Sequence, residues 1–239
     1  MPPLPASLGI LNLERGLPDG AHPVDPRPGH LFHPSTFDFS VISETVKGAW
    51  ADNVIRGDSS LDRAYLEAAR KLVSRGAVAI SANCGFTIRH QDAIAAAVDV
   101  PVATSSLLML PLLLGQLPRA SKVAVITADS KHLTTELLGL SAADHDRVVI
   151  GGVEGGTLWR NEMTRPPPRT EVCDIASDVM DCVTRLRKQQ PRIGALLFEC
   201  TAFPTVSQFV RSQSMLPVYD IADLCRITFA SVVSARLVP

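Results

Sequence analysis

Cys84 and Cys200 each close an apolar run, Ala79-Ile80-Ser81-Ala82-Asn83-Cys84 and Ala195-Leu196-Leu197-Phe198-Glu199-Cys200. Each is followed seventeen residues later by a proline, in Val100-Pro101-Val102 and in Leu216-Pro217-Val218. This spacing predicts two copies of one strand–helix–strand unit, with a cysteine at the C-terminal edge of its first strand. That edge is where open α/β sheets bind ligands. A thiol at the start of a helix sits in the helix's positive field, which favours the thiolate, and the free N–H groups of the same turn bind carboxylate or phosphate. Two such thiols across one cleft suit a reaction in which one removes a proton from a carbon and the other delivers a proton to the opposite face. A single cysteine in this setting is more often a small buried hydrophobe. Repetition at matching positions favours paired chemistry.

The elements that must position them also repeat. Gly9 to Cys84 spans seventy-five residues and Ala124 to Cys200 spans seventy-six, so the duplication reaches back to a first strand in each half, Ser7 to Leu13 and Lys122 to Thr127. Between these landmarks the sequence predicts a strand over Phe37 to Val46 and a helix capped at Ser59-Ser60-Leu61-Asp62 that stops at Gly76. In the second half it predicts a helix from about Lys131 and a strand from Arg147 to Ile150. A Pro-rich loop from Thr164 to Pro168, a helix from about Val172 to Lys188 and a closing helix after residue 218 complete the chain. Alternating strands and helices imply parallel sheets. The predicted fold is α/β, with two pseudo-twofold-related lobes, each a parallel sheet flanked by helices, and the active site in the cleft between them. The first lobe is assigned residues 1–115 plus about 221–239, the second 116–220.

The 239-residue chain has a formal net charge of -1 and 20% charged residues, with no block of like charge, so neither a nucleic acid nor an anionic membrane surface is an expected partner. A small-molecule site is expected instead. The start, Met1-Pro2-Pro3-Leu4-Pro5, lacks the basic and apolar regions of a signal peptide, and a cytoplasmic location is expected. The apolar run Leu107 to Leu117 is too short to span a bilayer and reads as a buried or subunit-facing helix. Five cysteines without a CxxC pair read as reduced thiols.

The two cysteine strands, Cys200-Thr201, the Asn83 beside Cys84, the Val-Pro-Val strand start and the duplicated order together resemble the aspartate/glutamate racemase family, whose superfamily includes hydantoin racemases, maleate isomerases and arylmalonate decarboxylases. The resemblance covers nearly the whole chain. It implies an interlobe active site, a homodimer, and catalysis without pyridoxal phosphate, metal or nucleotide. By position it makes Cys84 and Cys200 the two acid/base thiols and places Gly85, Phe86, Thr87 and Thr201 on carboxylate-binding turns. The same resemblance implies that Asn12 and Thr127, ending the two first strands, face the same cleft. The implied activity is racemisation or isomerisation of a small carboxylate such as an aspartate- or glutamate-like amino acid. A maleate-isomerase-like or decarboxylase-like enzyme, and a non-catalytic carboxylate-binding protein, are the alternatives. Two departures stand out. The family's Cys-Asn-Thr reads here Cys84-Gly85-Phe86-Thr87, and Ala202-Phe203-Pro204 follows Cys200-Thr201 where an acid or histidine is frequent. Glu199 either supplies the missing acid or is a surface carboxylate pairing with a helix start.

Other polar clusters carry weaker expectations. His22, His30 and His33 belong to a long Gly/Pro-rich loop from Gly16 to Pro34 and read as lid residues more than metal ligands. Gly151-Gly152-Val153-Glu154-Gly155-Gly156 lacks the spacing of a dinucleotide fingerprint and reads as a flexible turn. Cys173, Cys182 and Cys225 fall in predicted helices, where burial is the default. Thr104 and Ser105 either cap a helix or touch substrate.

Overall fold

The computed structural model describes residues 6–17 and 26–233. Met1–Pro5, His22 with its neighbours 18–25, and residues 234–239 lie outside the described residues. Among the described residues, eight strands form two four-stranded parallel sheets. The first contains β1 (Ser7–Asn12), β2 (Ser40–Thr45), β3 (Ala77–Ala82) and β4 (Val102–Ala103) in the order β2-β1-β3-β4; the second contains β5 (Lys122–Thr127), β6 (Val148–Gly152), β7 (Ile193–Phe198) and β8 (Val218–Tyr219) in the order β6-β5-β7-β8. The two sheets repeat each other in detail. Each has a register shift at the start of its central pair, between Ser7 and Leu8 and between Lys122 and Val123. Ile80 N–H donates to the Pro101 carbonyl at 2.9 Å, and Leu196 N–H to the Pro217 carbonyl at 2.8 Å. A proline has no N–H for the ladder, so both stand just before their edge strands.

The helices are α1 (Ala51–Arg56), α2 (Asp62–Ser74), α3 (Gln91–Ala95), α4 (Leu110–Gln116), α5 (Ala142–His145), α6 (Thr157–Glu162), α7 (Val172–Gln189), α8 (Ser207–Ser214) and α9 (Ile221–Val232). The central strands are buried on both faces, as parallel sheets covered by helices must be. On α7 the buried residues Ile175, Val179, Cys182, Val183 and Leu186 form one stripe at helical spacing, which lies on the second sheet. Helix α9 is fixed at its start by a capping box between Asp220 and Asp223 and returns to the first sheet, packing Ile221, Cys225 and Phe229 against Leu8, Ile10 and Ala79. One hydrophobic core runs through both halves, joining Leu11 and Ile80 of the first sheet to Val125 and Leu197 of the second through Leu110 and Leu113 of α4. No helix among the described residues is long and apolar enough to cross a membrane.

Several local expectations are corrected. No helix starts at Lys131: the Asp129 carboxylate accepts the Lys131 and His132 N–H groups at 3.0 and 3.3 Å, and the chain continues as a turn to the short 3-10 helix Thr135–Leu138 and α5. Helix α1 was not anticipated; its single turn and a half is too short to show periodicity. Gly151 and Gly152 end β6 rather than forming a turn. A Cβ at Gly151 would lie 2.7 Å from the Cys182 sulfur and 2.6 Å from a Leu186 methyl, so glycine lets α7 approach this strand. Cys182 and Cys225 are buried, but Cys173 is exposed. Nine positions at about 100° each put it on the face of α7 opposite Cys182.

Candidate active site

In both sheets the strand order reverses beside the central pair, so the ends of β1 and β3, and those of β5 and β7, form switch points of the kind that bind ligands. The repeat places matching backbone there. Asn83 N–H donates to the Leu11 carbonyl at 3.0 Å and Glu199 N–H to the Ile126 carbonyl at 2.8 Å, which carries each ladder one residue past its strand. The next residue in each case is the cysteine. Cys84 precedes the 3-10 helix Gly85–His90 in extended conformation, and Cys200 precedes the turn that enters the 3-10 helix Phe203–Val206. The backbone two residues on, at Phe86 or at Ala202, favours the thiolate of each cysteine.

The two turns meet. The Thr201 hydroxyl donates to the Asn83 carbonyl, tying the second cysteine turn to the first. A Cβ on Gly85 would lie 2.2 Å from the Glu199 carbonyl oxygen and 2.2 Å from its carboxylate Oε1. Glycine directly after Cys84 is therefore what allows the close approach. Cys84 and Cys200 line one cavity of about 60 Å³, together with Asn83, Gly85, Phe86, Glu199 and Thr201. This cavity shares Arg15, Asn83, Glu162, Thr201 and Ala202 with an outer chamber of about 290 Å³, whose wall also includes Asn12, His30 and the prolines 166–168. The proline wall is held by Arg165, whose guanidinium pairs with Asp52 and lies 4.8 Å over the Trp50 ring.

Glu199 is fully buried, not a surface carboxylate. Its Oε2 accepts the Thr127 hydroxyl at 2.7 Å, while Oε1 has no hydrogen-bond partner among the described residues. Burial raises its pKa to about 7, with the Thr127 hydroxyl and the Ala128 N–H as the main opposing influences. Its repeat mate Asn83 has an amide in the same place, with Oδ1 accepting Leu13 N–H at 2.8 Å. One half thus carries a neutral acceptor and the other a titratable one.

The thiols are shifted in the direction opposite to the sequence expectation. Burial pushes Cys84 up to about 12 and Cys200 well above its usual range, and the Glu199 charge adds to both. The helices behind them are short 3-10 turns whose field is too weak to offset the loss of water. Both groups are therefore neutral thiols when Glu199 is ionised. A thiolate formed here is scarce, but it is a stronger base toward carbon than an exposed one.

The remaining expected residues separate into those on the cavity and those behind it. Asn12 lines the outer chamber, with a buried Oδ1 that has no partner among the described residues. Thr127 does not line the cysteine cavity; it orients Glu199. Thr87 turns its hydroxyl toward the Tyr65 hydroxyl at 3.3 Å in the core. Thr104 is buried against Gln91, and Ser105 caps the following 3-10 helix. His30 lines the outer chamber, its pKa lowered by burial and by the charges of Arg15 and His33. His33 bonds Ser35, and no cluster of three or more metal-ligand side chains forms among the described residues. Arg15 and Glu162 were not anticipated. They lie 147 positions apart, on a loop and at the end of a six-residue helix, where no periodic or motif signal marks them.

The Glu199 shift sets a pH dependence of stability. The unfolded carboxyl titrates near 4.5 and the folded one near about 7, so folding is strongest below the unfolded value and weakens as pH rises to the folded value. The loss is about 3 kcal/mol. Glu199→Gln keeps an acceptor for Thr127 and is expected to remove this loss. Urea unfolding at pH 5 and pH 8 checks it; parallel pH curves for the two proteins would refute the assignment.

No family model matches this chain. Among characterised sequences it is similar to dimethylsulfoniopropionate lyase 7 of Emiliania huxleyi, with 26% identity over 94% of this chain and 67% of that protein. The chain spans roughly three fifths to two thirds of the first of these relatives. Among solved structures it is similar to a liganded variant of arylmalonate decarboxylase, with a TM-score of 0.59 and 16% identity over 97% of this chain and 94% of that one. It is also similar to glutamate racemase from Bacillus anthracis, with a TM-score of 0.61 and 15% identity over 95% of this chain and 81% of that one. The architecture is therefore the two-sheet α/β fold shared by these racemases and decarboxylases.

Proposed function

We propose that this chain is a cofactor-independent enzyme that removes the α-proton of a small carboxylate held between Cys84 and Cys200. The observation that carries this reading is the meeting of two repeat-related thiols and a buried, titratable carboxylate in one small cavity. In the resting site the negative charge resides on Glu199, the strongest acid of the three. Transfer of a thiol proton toward Glu199 Oε1, the oxygen without a partner, generates the base at the moment it is needed.

The fate of that carbon depends on its other bonds. If the opposite thiol returns a proton, the centre inverts and the enzyme is a racemase. If the β-carbon carries a leaving group, the electron pair of the broken C–H bond forms the alkene and the β-bond breaks. Dimethylsulfoniopropionate is such a compound: loss of its α-proton with departure of dimethyl sulfide gives acrylate. The name shared by relatives that match 80 to 94% of this chain favours this second outcome.

Incubation in heavy water with dimethylsulfoniopropionate, aspartate, glutamate, hydantoins, maleate and an arylmalonate tests the reading by NMR and headspace detection of dimethyl sulfide. α-Deuterium uptake or acrylate formation supports α-proton chemistry. Conversion of maleate or loss of carbon dioxide, without α-exchange on any other substrate, would replace it.

A further inference from the structure

Arg15 stands three residues beyond β1, and Glu162 is the last residue of α6, so the two approach from the two halves of the repeat. Arg15 Nη1 donates to Glu162 Oε2 at 2.7 Å. Both residues line the cysteine cavity and both line the outer chamber, which places their ion pair at the passage between the two. Among the described residues lining the cysteine cavity, Arg15 is the one cation, and Glu162 and Glu199 are the anions. The pair is partly exposed, 32% for the arginine side chain and 24% for the glutamate, so it contributes little to stability. Glu162 also ends its helix, where a carboxylate meets the negative end of the peptide dipoles. Neither fold stability nor helix preference accounts for a glutamate here.

The charge inventory supplies a reason. A carboxylate entering the cysteine cavity meets two carboxylates and two neutral thiols, and the one cation on that cavity is already bound to Glu162; the further arginines of the outer chamber, Arg27 and Arg169, are paired with Glu171. A simple anion that takes Arg15 leaves Glu162 unpaired in a partly desolvated site. A ligand that brings its own cation gives Glu162 a replacement. With about 60 Å³ inside, the cavity admits the reacting carbons and keeps charged ends at its mouth. We infer that the Arg15–Glu162 pair is the substrate-reading element of this site, opening to take a zwitterion, with the carboxylate on Arg15 and an ammonium or sulfonium on Glu162. Both charges act on Cys84, whose pKa Arg15 lowers and Glu162 raises, and Glu162 raises that of Cys200 as well. This inference rests on the proposed location of the substrate and not on turnover.

Calorimetric binding to the full chain, its Glu162→Gln variant and its Arg15→Met variant tests it with two pairs of probes. Dimethylsulfoniopropionate is compared with 3-(methylthio)propionate, and alanine with lactate; each pair differs chiefly in the cation. The unmodified chain is expected to prefer the zwitterion in at least one pair by about tenfold or more, a typical value for a hydrogen-bonded charge. Glu162→Gln is expected to erase that preference by weakening the zwitterion alone, and Arg15→Met to weaken both members. Melting temperatures of both variants should stay within a few degrees of the parent. No zwitterion preference, an equal loss of both ligands in Glu162→Gln, or no binding of either zwitterion at millimolar concentration overturns the inference. Binding that follows the expected pattern without α-proton exchange would leave the pair's role intact and reject the chemistry. Turnover without charge preference would do the reverse.

Discussion

Replacing the thiol that serves as base, Cys84 or Cys200, with alanine is expected to lower the rate of α-proton chemistry by about a thousandfold, the usual contribution of a positioned acid or base. The two substitutions separate the two outcomes of that chemistry. A racemase needs a base on one face and an acid on the other, so either alanine abolishes inversion. An elimination needs one base, because the leaving group departs without a proton from the opposite side. In that case one variant should be nearly inactive and the other should retain much of its rate. Cys173→Ala, exposed on α7, is the control and should change neither rate nor stability. Steady-state rates of the three variants on the substrate identified in heavy water decide the matter. Retention of more than about a tenth of the activity by both active-site variants would exclude the thiols from proton transfer.

The repeat of strands and cysteines was legible because buried parallel strands are written as short apolar runs with a fixed distance to the next proline-led edge. That pattern survives in both halves and predicts which residues share the ends of β3 and β7. It does not predict the acidity of the groups placed there. A local rule, a thiol before a helix, favoured a thiolate; the structure sets both half-buried cysteines beside Glu199, and the loss of water outweighs the field of two short 3-10 turns. Glu199 itself had two open readings because its neighbours in sequence do not reveal Thr127, seventy-two positions away, or the Gly85 turn pressed against it. Thr87 was misplaced for a related reason. It follows the cysteine closely enough to look like part of the turn, but the tight 3-10 geometry directs its hydroxyl to Tyr65.

Gly85→Ala is expected to cost both stability and rate, since it inserts a methyl group where the two halves touch. The new carbon would lie 2.2 Å from a backbone carbonyl oxygen of the opposite cysteine strand, and 2.2 Å from the carboxylate oxygen of Glu199. A flexible side chain could swing away from such a contact, but the strand end cannot, because Glu199 N–H is bonded to β5 and Thr201 to Asn83. The Cys84 turn must therefore shift by roughly an ångström. Overpacking of this kind costs about 1–3 kcal/mol, and a shift of that size between reacting groups lowers turnover by about a hundredfold. Gly115→Ala is the matched control. It lies in α4 with open space where the methyl would go, and it should be neutral or slightly stabilising. Urea midpoints and turnover numbers for the pair give the comparison. If Gly85→Ala behaves like Gly115→Ala, the contact between the cysteine turns is not what fixes the distance from one thiol to the other. If turnover falls much further than stability, the glycine is required by the geometry of proton transfer and not merely by packing.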